Sequence, residues 1–244
     1  MSQSQKIALI TGAAYRIGAE IAETLHSAGY GVVVHYRQSQ AGAEKLVQLL
    51  NGRRPHSAWA VNADLQSVDE IKAMVADAIA INGRLDVLVN NASGFYQTPV
   101  AAADEQQWDE LMGSNLKAPF FVSQAAFPAL KKQRGSIVNI VDIYAKNSLA
   151  DFSIYSAAKA GLTSLTASLA KELAPAVRVN GVSPGAILWP KGQEESMSAE
   201  IVQKIPLQRQ GSAKDIAETV LFLATQASYI TGQVIAVDGG KSLV

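Results

Sequence analysis

Short runs rich in Val and Ile alternate with longer amphipathic stretches along the whole of this chain, and that alternation constrains its fold more than any other feature. A strand that reads as an unbroken apolar run must be covered on both faces, which a parallel sheet with helices on each side achieves. The strands expected are Ile7–Ile10, Gly31–Tyr36, Ser57–Val61, Leu85–Asn90, Ser136–Val141, Val177–Gly181 and Gln233–Val237. Between them the helical period predicts Arg16–Ala28, Ala41–Leu50, Val68–Ile81, Glu105–Lys132, Ser153–Leu173 and Ala213–Thr225. The last helix has Ser212 as its N-cap with Asp215 three residues on, close to a capping box. The 244 residues show no linker, composition shift or internal repeat. Residues 1–244 are therefore read as one doubly wound α/β domain around a seven-stranded parallel sheet. The stretch 186–206, with Trp189, Pro190, Gly192 and Pro206, fits neither period and reads as a loop over a ligand or as a surface insertion.

Composition removes several functions. Lys plus Arg equal Asp plus Glu at 21 each and no block of like charge appears, so there is no electrostatic footprint for nucleic acid or an anionic membrane. Without cysteine there are no disulfides, thiolate nucleophiles or cysteine-bound zinc, and His26, His35 and His56 are not at metal-ligand spacing, so no metal is expected. The longest uncharged run, Thr219–Val237, is broken by Thr225, Gln226, Ser228, Thr231, Gly232 and Gln233 and does not read as a membrane span. Residues 1–5 carry no signal-peptide pattern, and the expectation is a cytoplasmic protein.

The chemistry starts after the first strand, at Thr11-Gly12-Ala13-Ala14-Tyr15-Arg16-Ile17-Gly18, which runs straight into an amphipathic helix. Glycines there let backbone approach a pyrophosphate, and the helix start offers N–H groups and a positive partial charge, as in Rossmann-type folds. Arg16 opposes the helix dipole unless an anion or polar ligand lies before it. The second strand ends His35-Tyr36-Arg37-Gln38-Ser39, with no carboxylate for a ribose 2′-hydroxyl. Arg37 and Ser39 suit a 2′-phosphate instead, which favours NADP(H) over NAD(H). Tyr155 and Lys159 share a helical face, where an ammonium would lower the phenol pKa and ready it for proton transfer. Asp142 ends a buried parallel strand, where α/β folds bind ligands, although a solvated loop carboxylate reads the same way.

The Thr-Gly-x-x-x-x-x-Gly turn, Asn90-Asn91-Ala92, Asn115, Tyr155-x-x-x-Lys159 and Pro184-Gly185 come in the order of the short-chain dehydrogenase/reductase family, which this chain resembles over nearly its full length. The resemblance implies proton-transfer roles for Asn115, Tyr155 and Lys159, with Lys159 also on the nicotinamide ribose. It places Asp64, with Leu65, at the adenine, Asn90, Asn91 and Ala92 along the cofactor, and Pro184-Gly185 at the nicotinamide. The cofactor set it suggests is Gly12, Arg16, Ile17, Gly18, His35, Tyr36, Arg37, Ser39, Asp64, Leu65, Asn91, Ala92, Ser93, Lys159, Pro184 and Gly185. A homotetramer is also implied, with Asp238-Gly239-Gly240 near a subunit boundary.

Three departures narrow the resemblance: Arg16 at the usual middle glycine, Ser93 at the glycine of Asn-Asn-Ala-Gly, and Asp142 at the usual serine. With His35-Tyr36-Arg37-x-Ser39, Ser93-x-Phe95-Tyr96-x-Thr98-Pro99 and Asn115-Leu116-Lys117-Ala118-Pro119-Phe120-Phe121, they look like the pteridine reductases. That likeness makes Asp142, Tyr155 and Lys159 the catalytic set and sets a pterin against Phe95, with Arg16 and Ser93 at its polar edge. The reaction expected is hydride transfer from NADPH to a dihydropterin, an oxidised pterin or dihydrofolate, with a proton delivered through Tyr155. A 3-oxoacyl-type carbonyl reductase is the alternative, and a non-catalytic NADPH-binding regulator a more remote one. Phe95 also admits a plain core role, since a lone Phe after a strand is usually packing.

Overall fold

The computed structural model describes residues 5–187 and 202–244. Its strands are β1 (Ile7–Ile10), β2 (Gly31–Tyr36), β3 (Ala58–Asn62), β4 (Val87–Asn90), β5 (Ser136–Ile140), β6 (Arg178–Pro184) and β7 (Val234–Val237). All pair in parallel in one seven-stranded sheet of order β3-β2-β1-β4-β5-β6-β7, the doubly wound architecture expected. The helices are α1 (Arg16–Ser27), α2 (Gln40–Arg53), α3 (Val68–Ala80), α4 (Glu105–Met112), α5 (Ala118–Gln133), α6 (Ser153–Leu173) and α7 (Ala213–Thr225).

Successive residues of a strand point to opposite faces, so β1 feeds two cores at once. Ala8 and Ile10 pack with Ile21 and Leu25 of α1 and Ile216, Val220 and Leu223 of α7. Ile7 and Leu9 pack on the other face with Ile71 and Met74 of α3, Val122 and Leu130 of α5 and Leu169 of α6. Every one of these side chains is buried, which is why β1, β2 and β4 read as apolar runs. Strand order turns back between β1 and β4, and the loops that leave their carboxyl ends part there to leave a crevice.

The structure corrects one element. The amphipathic stretch Glu105–Lys132 is not one helix: α4 stops at Met112, a π-helical turn spans Gly113–Lys117, and α5 starts at Ala118. The cause lies in two residues. The Asn115 amide donates to Leu111 O at 2.9 Å and to Gly94 O at 3.0 Å, which pulls a side chain into the helical ladder. Pro119 lacks the N–H that would reach back to the Asn115 carbonyl. Of the 186–206 stretch, residues 188–201 lie outside those described. Its described ends are tied down: Gly211 N–H donates to Ala186 O, Gln210 Nε2 to Ile187 O, and Ile205 is buried.

Candidate active site

The turn after β1 is shaped by a glycine that nothing else replaces. Gly12 has φ +62°, and a Cβ there would lie 2.9 Å from Ala92 Cα, so the β1 and β4 loops touch backbone to backbone. A Cβ on Gly18 would lie 2.5 Å from Gly12 O, so the first turn of α1 closes directly onto the loop. Asn91 Nδ2 donates to Thr11 O and Gly12 O, and Thr11 Oγ1 accepts from the N–H groups of Asn91 and Ala92. Helix α1 has neither a side-chain cap nor an acidic residue in its first turn, so its leading N–H groups lack intrahelical partners at the crevice. Arg16 opens this helix at φ +58°, a left-handed conformation that non-glycine residues avoid.

A cleft of about 760 Å³ runs from this turn along the carboxyl edge of the sheet. Gly12, Arg16, Ile17, Gly18, His35, Arg37, Asp64, Leu65, Asn91, Ala92, Ser93, Pro184 and Gly185 line one length of it, and Phe95, Asp142, Tyr155 and Lys159 the other. Tyr36, Ser39 and Asn115 are not among the lining residues. Tyr36 is half-buried against the core beside α1 and α2, and Ser39 sits at the N-cap of α2 without a side-chain cap bond. Asn115 is fully buried and acts from behind, accepting a 2.7 Å hydrogen bond from Ser93 Oγ.

At the far end, the loop after β5 and helix α6 bring three titratable groups together. Tyr155 donates its hydroxyl to Asp142 Oδ2 at 2.6 Å, and Asp142 Oδ1 accepts from Tyr144 N–H at 2.9 Å. Lys159 is buried, donates to Ile140 O at 2.9 Å and stands 5.6 Å from the Tyr155 ring centre. Burial drives the charge states. It raises the Asp142 carboxyl above its ordinary range, against the opposing effects of the Tyr155 bond, the Tyr144 N–H and the Lys159 charge. It lowers the Lys159 ammonium to about 8, with Asp142 pulling the other way. The Tyr155–Lys159 spacing predicts a phenol of lowered pKa, and here the structure reverses the expectation. Burial and then the charge of Asp142 raise Tyr155 well above its ordinary value, so the hydroxyl keeps its proton.

Phe95 is not a core residue. It is 50% exposed, stacks on Phe152 at 4.6 Å between ring centres and meets the Tyr155 ring edge-on at 4.8 Å. Phe152, Tyr15, Gln66, Tyr144, Ile187 and Lys241 also line the cleft and were not legible as site residues. Only Phe152 carried a usable signal, an aromatic three residues before Tyr155, and the structure places it at the N-cap of α6.

The cleft fits a dinucleotide in three respects: a glycine cradle that a Cβ would fill, a helix start that favours anions, and an arginine beyond β2. A doubly wound sheet with that cradle at its switch point and a tyrosine–lysine–aspartate group at its carboxyl edge defines a dinucleotide-fold oxidoreductase. Residues 12–242 match the family model described as enoyl-(acyl carrier protein) reductase, and the chain belongs to the short-chain dehydrogenase/reductase family. It is 40% identical to pteridine reductase 1 of Leishmania tarentolae, over 99% of this chain and 98% of that protein. It is 39% identical to a 3-oxoacyl-(acyl-carrier-protein) reductase, FabG, of Staphylococcus aureus, over 96% and 97% of the two chains. The corresponding protein of Staphylococcus epidermidis is 38% identical over 96% and 98%. No helix among the described residues is long and apolar enough to cross a membrane, and no three metal-binding side chains cluster among them.

Proposed function

We propose that this chain is an NADPH-dependent pteridine reductase acting on a dihydropterin, with oxidised pterins and dihydrofolate as further substrates. The observation that carries the reading is the 2.6 Å hydrogen bond from Tyr155 to a buried Asp142 whose carboxyl burial pushes toward its protonated form. Bound in the cleft, NADPH supplies a hydride to a C=N carbon of the ring. The adjacent nitrogen then needs a proton, and Tyr155 is a hydroxyl that holds one. Asp142 hands a proton back to Tyr155 through the bond they share. Lys159, tied to the Ile140 carbonyl, keeps a cation beside the pair.

Binding roles follow from position. Arg37, with Ser39 at the start of α2, suits a 2′-phosphate, and Asp64 and Leu65 face the adenine end. Arg16 and Ser93 reach the substrate's polar edge, and Phe95, braced by Phe152, gives its ring an apolar platform. The reading includes a homotetramer. In support, β7 is only half-covered at the edge of the sheet, Tyr229 is fully exposed, and an apolar groove is lined by Leu116, Phe120, Phe121 and Leu165. Light scattering that returns a monomer at micromolar concentration removes that part.

The second reading is a 3-oxoacyl reductase, favoured by the nearly equal identity to the staphylococcal reductases. Where Asp142 is protonated it can resupply Tyr155 for a ring nitrogen, and where it is ionised it raises the barrier to a developing alkoxide, so it argues against this second reading. NADPH consumption with dihydrobiopterin, dihydromonapterin, dihydrofolate and an acetoacetyl thioester separates the two. Pterin turnover that falls in Asp142→Ser supports the first reading. Thioester turnover that exceeds pterin turnover, and rises in Asp142→Ser, replaces it with the second.

A further inference from the structure

His35, the penultimate residue of β2, lies among residues that bear on the ribose end of a dinucleotide, yet the polar atoms of its ring bond to the protein. It is 2% exposed, and both ring nitrogens are committed to the protein. Nδ1 lies 3.0 Å from the Gly12 amide nitrogen, and Nε2 3.1 Å from the Ala63 carbonyl oxygen. A backbone N–H only donates, so Nδ1 must be the unprotonated nitrogen and Nε2 must carry the hydrogen that goes to Ala63. One neutral imidazole thus ties the loop after β1 to the loop after β3. The backbone of the same residue adds a third tie, because His35 O accepts from Ala13 N–H at 2.9 Å.

The consequence falls on Gly12. Its carbonyl accepts from Asn91 Nδ2 and its N–H is taken by His35, so Gly12 is gripped through both its polar groups and its N–H is not left for a ligand. Gly12 at φ +62° has wide conformational freedom of its own, and without the imidazole its part-buried N–H would lack this partner. Ala63, at the other nitrogen, immediately precedes Asp64 and Leu65 of the cleft wall, while Arg37 follows His35 by two residues. Burial lowers the His35 pKa against the opposing Ala63 bond and Asp64 charge, consistent with a neutral ring.

We propose that His35 is a positioning residue that sets the cofactor cleft through its acceptor bond to Gly12, holding the turn in its anion-binding shape without contributing a polar contact to the cofactor. The proposal rests on the reading that this cleft binds NADP(H).

The test uses two substitutions that each keep half of the ring's bonding. In His35→Asn the amide oxygen stands where Nδ1 stood and still accepts from Gly12, and the Ala63 bond is lost. In His35→Gln the longer amide reaches Ala63 and Gly12 is left unpaired. Calorimetric titration with NADP+ at pH 7.5 is expected to give His35→Asn a Kd within threefold of the unmodified protein and His35→Gln a Kd at least tenfold weaker, while both melt lower by similar amounts. A purely structural histidine would weaken both variants in step with their melting temperatures, and that result overturns the proposal. Because replacing a buried side chain can prevent folding, imidazole nitrogen NMR of the unmodified protein gives an independent measurement. An Nε2–H tautomer is expected, and an Nδ1–H tautomer or an imidazolium at pH 7.5 overturns the Gly12 bond outright. If the unmodified protein binds no NADP+, the dinucleotide reading falls and this one with it. If it binds NADP+ and the two variants behave alike, this one alone falls.

Discussion

Arg16 and Phe95 both stand where packing alone would not put them. A left-handed arginine at the start of a helix costs about 1–2 kcal/mol, and glycine at the same φ would relieve it. Arg16→Gly is therefore expected to raise the melting temperature of the ligand-free protein by a few degrees and to weaken substrate binding. A lower melting temperature in that variant would show that the arginine itself holds the turn. Phe95, half exposed, should tolerate Phe95→Ala with little change in melting temperature and in NADPH affinity, while the pterin KM rises by the equivalent of about 0.5–1.5 kcal/mol beyond lost contact area. A loss of about 3–5 kcal/mol in stability with unchanged KM would return Phe95 to the core. Tyr155→Phe keeps the ring and loses the proton, so kcat should fall by roughly 10²–10⁴ with cofactor Kd little altered. Unimpaired turnover would mean that another group delivers the proton.

Two helices show how an element is set by its ends or broken from within. Ser212 and Asp215 form a full capping box at the start of α7, where the spacing had promised one, and Asp215 is held well below its usual range by Arg209 and Ser212. Ser212→Ala should lower stability by about 0.5–2 kcal/mol in urea titrations and leave NADPH affinity alone, since α7 holds no cleft residue. Asn115 is the opposite case. Its amide bridges Leu111 O and Gly94 O and its oxygen accepts from Ser93, so one buried side chain bends the α4–α5 stretch and braces the loop that carries Ser93 and Phe95. Asn115→Ala leaves one buried and one part-buried carbonyl without this donor and is expected to cost about 1–3 kcal/mol in stability and to depress kcat as well. Stability lost with full kcat would confine Asn115 to the fold.

At the scale of the whole molecule, a large buried core lets the protein keep a lysine out of water. Lys159 titrates near 8 when folded and near its ordinary 10.5 when unfolded. Between those values the unfolded chain holds a proton that the folded one has released, so stability contributed by this group rises with pH across that window, at up to about 1.4 kcal/mol per pH unit. Below pH 8 both states are protonated and the slope vanishes. Denaturation midpoints of the unmodified protein should therefore climb relative to Lys159→Met from pH 8 to pH 9.5. Parallel profiles would show that the ammonium is better solvated than its burial implies.

What the chain determines by itself is whatever depends on neighbours in sequence. Apolar runs with no alternation determined a covered parallel sheet, the spacing of Gly12 and Gly18 a tight turn into a helix, and Ser212 with Asp215 a helix start, each through geometry that a few consecutive residues impose. Asp142, Tyr155 and Lys159 were legible as a group, but the direction of the Tyr155 shift was not. It depends on burial and on a carboxylate thirteen residues away in sequence, and both exist only once β5 and α6 are packed together. By resemblance Asn115 was a proton-transfer residue and His35 one of the cofactor set, but that Asn115 ties Leu111 to Gly94 and that the His35 ring ties Gly12 to Ala63 emerges only in the folded structure. Hydrogen bonds between residues distant in the chain are decided by which loops the sheet brings together, and local periodicity carries no record of that choice.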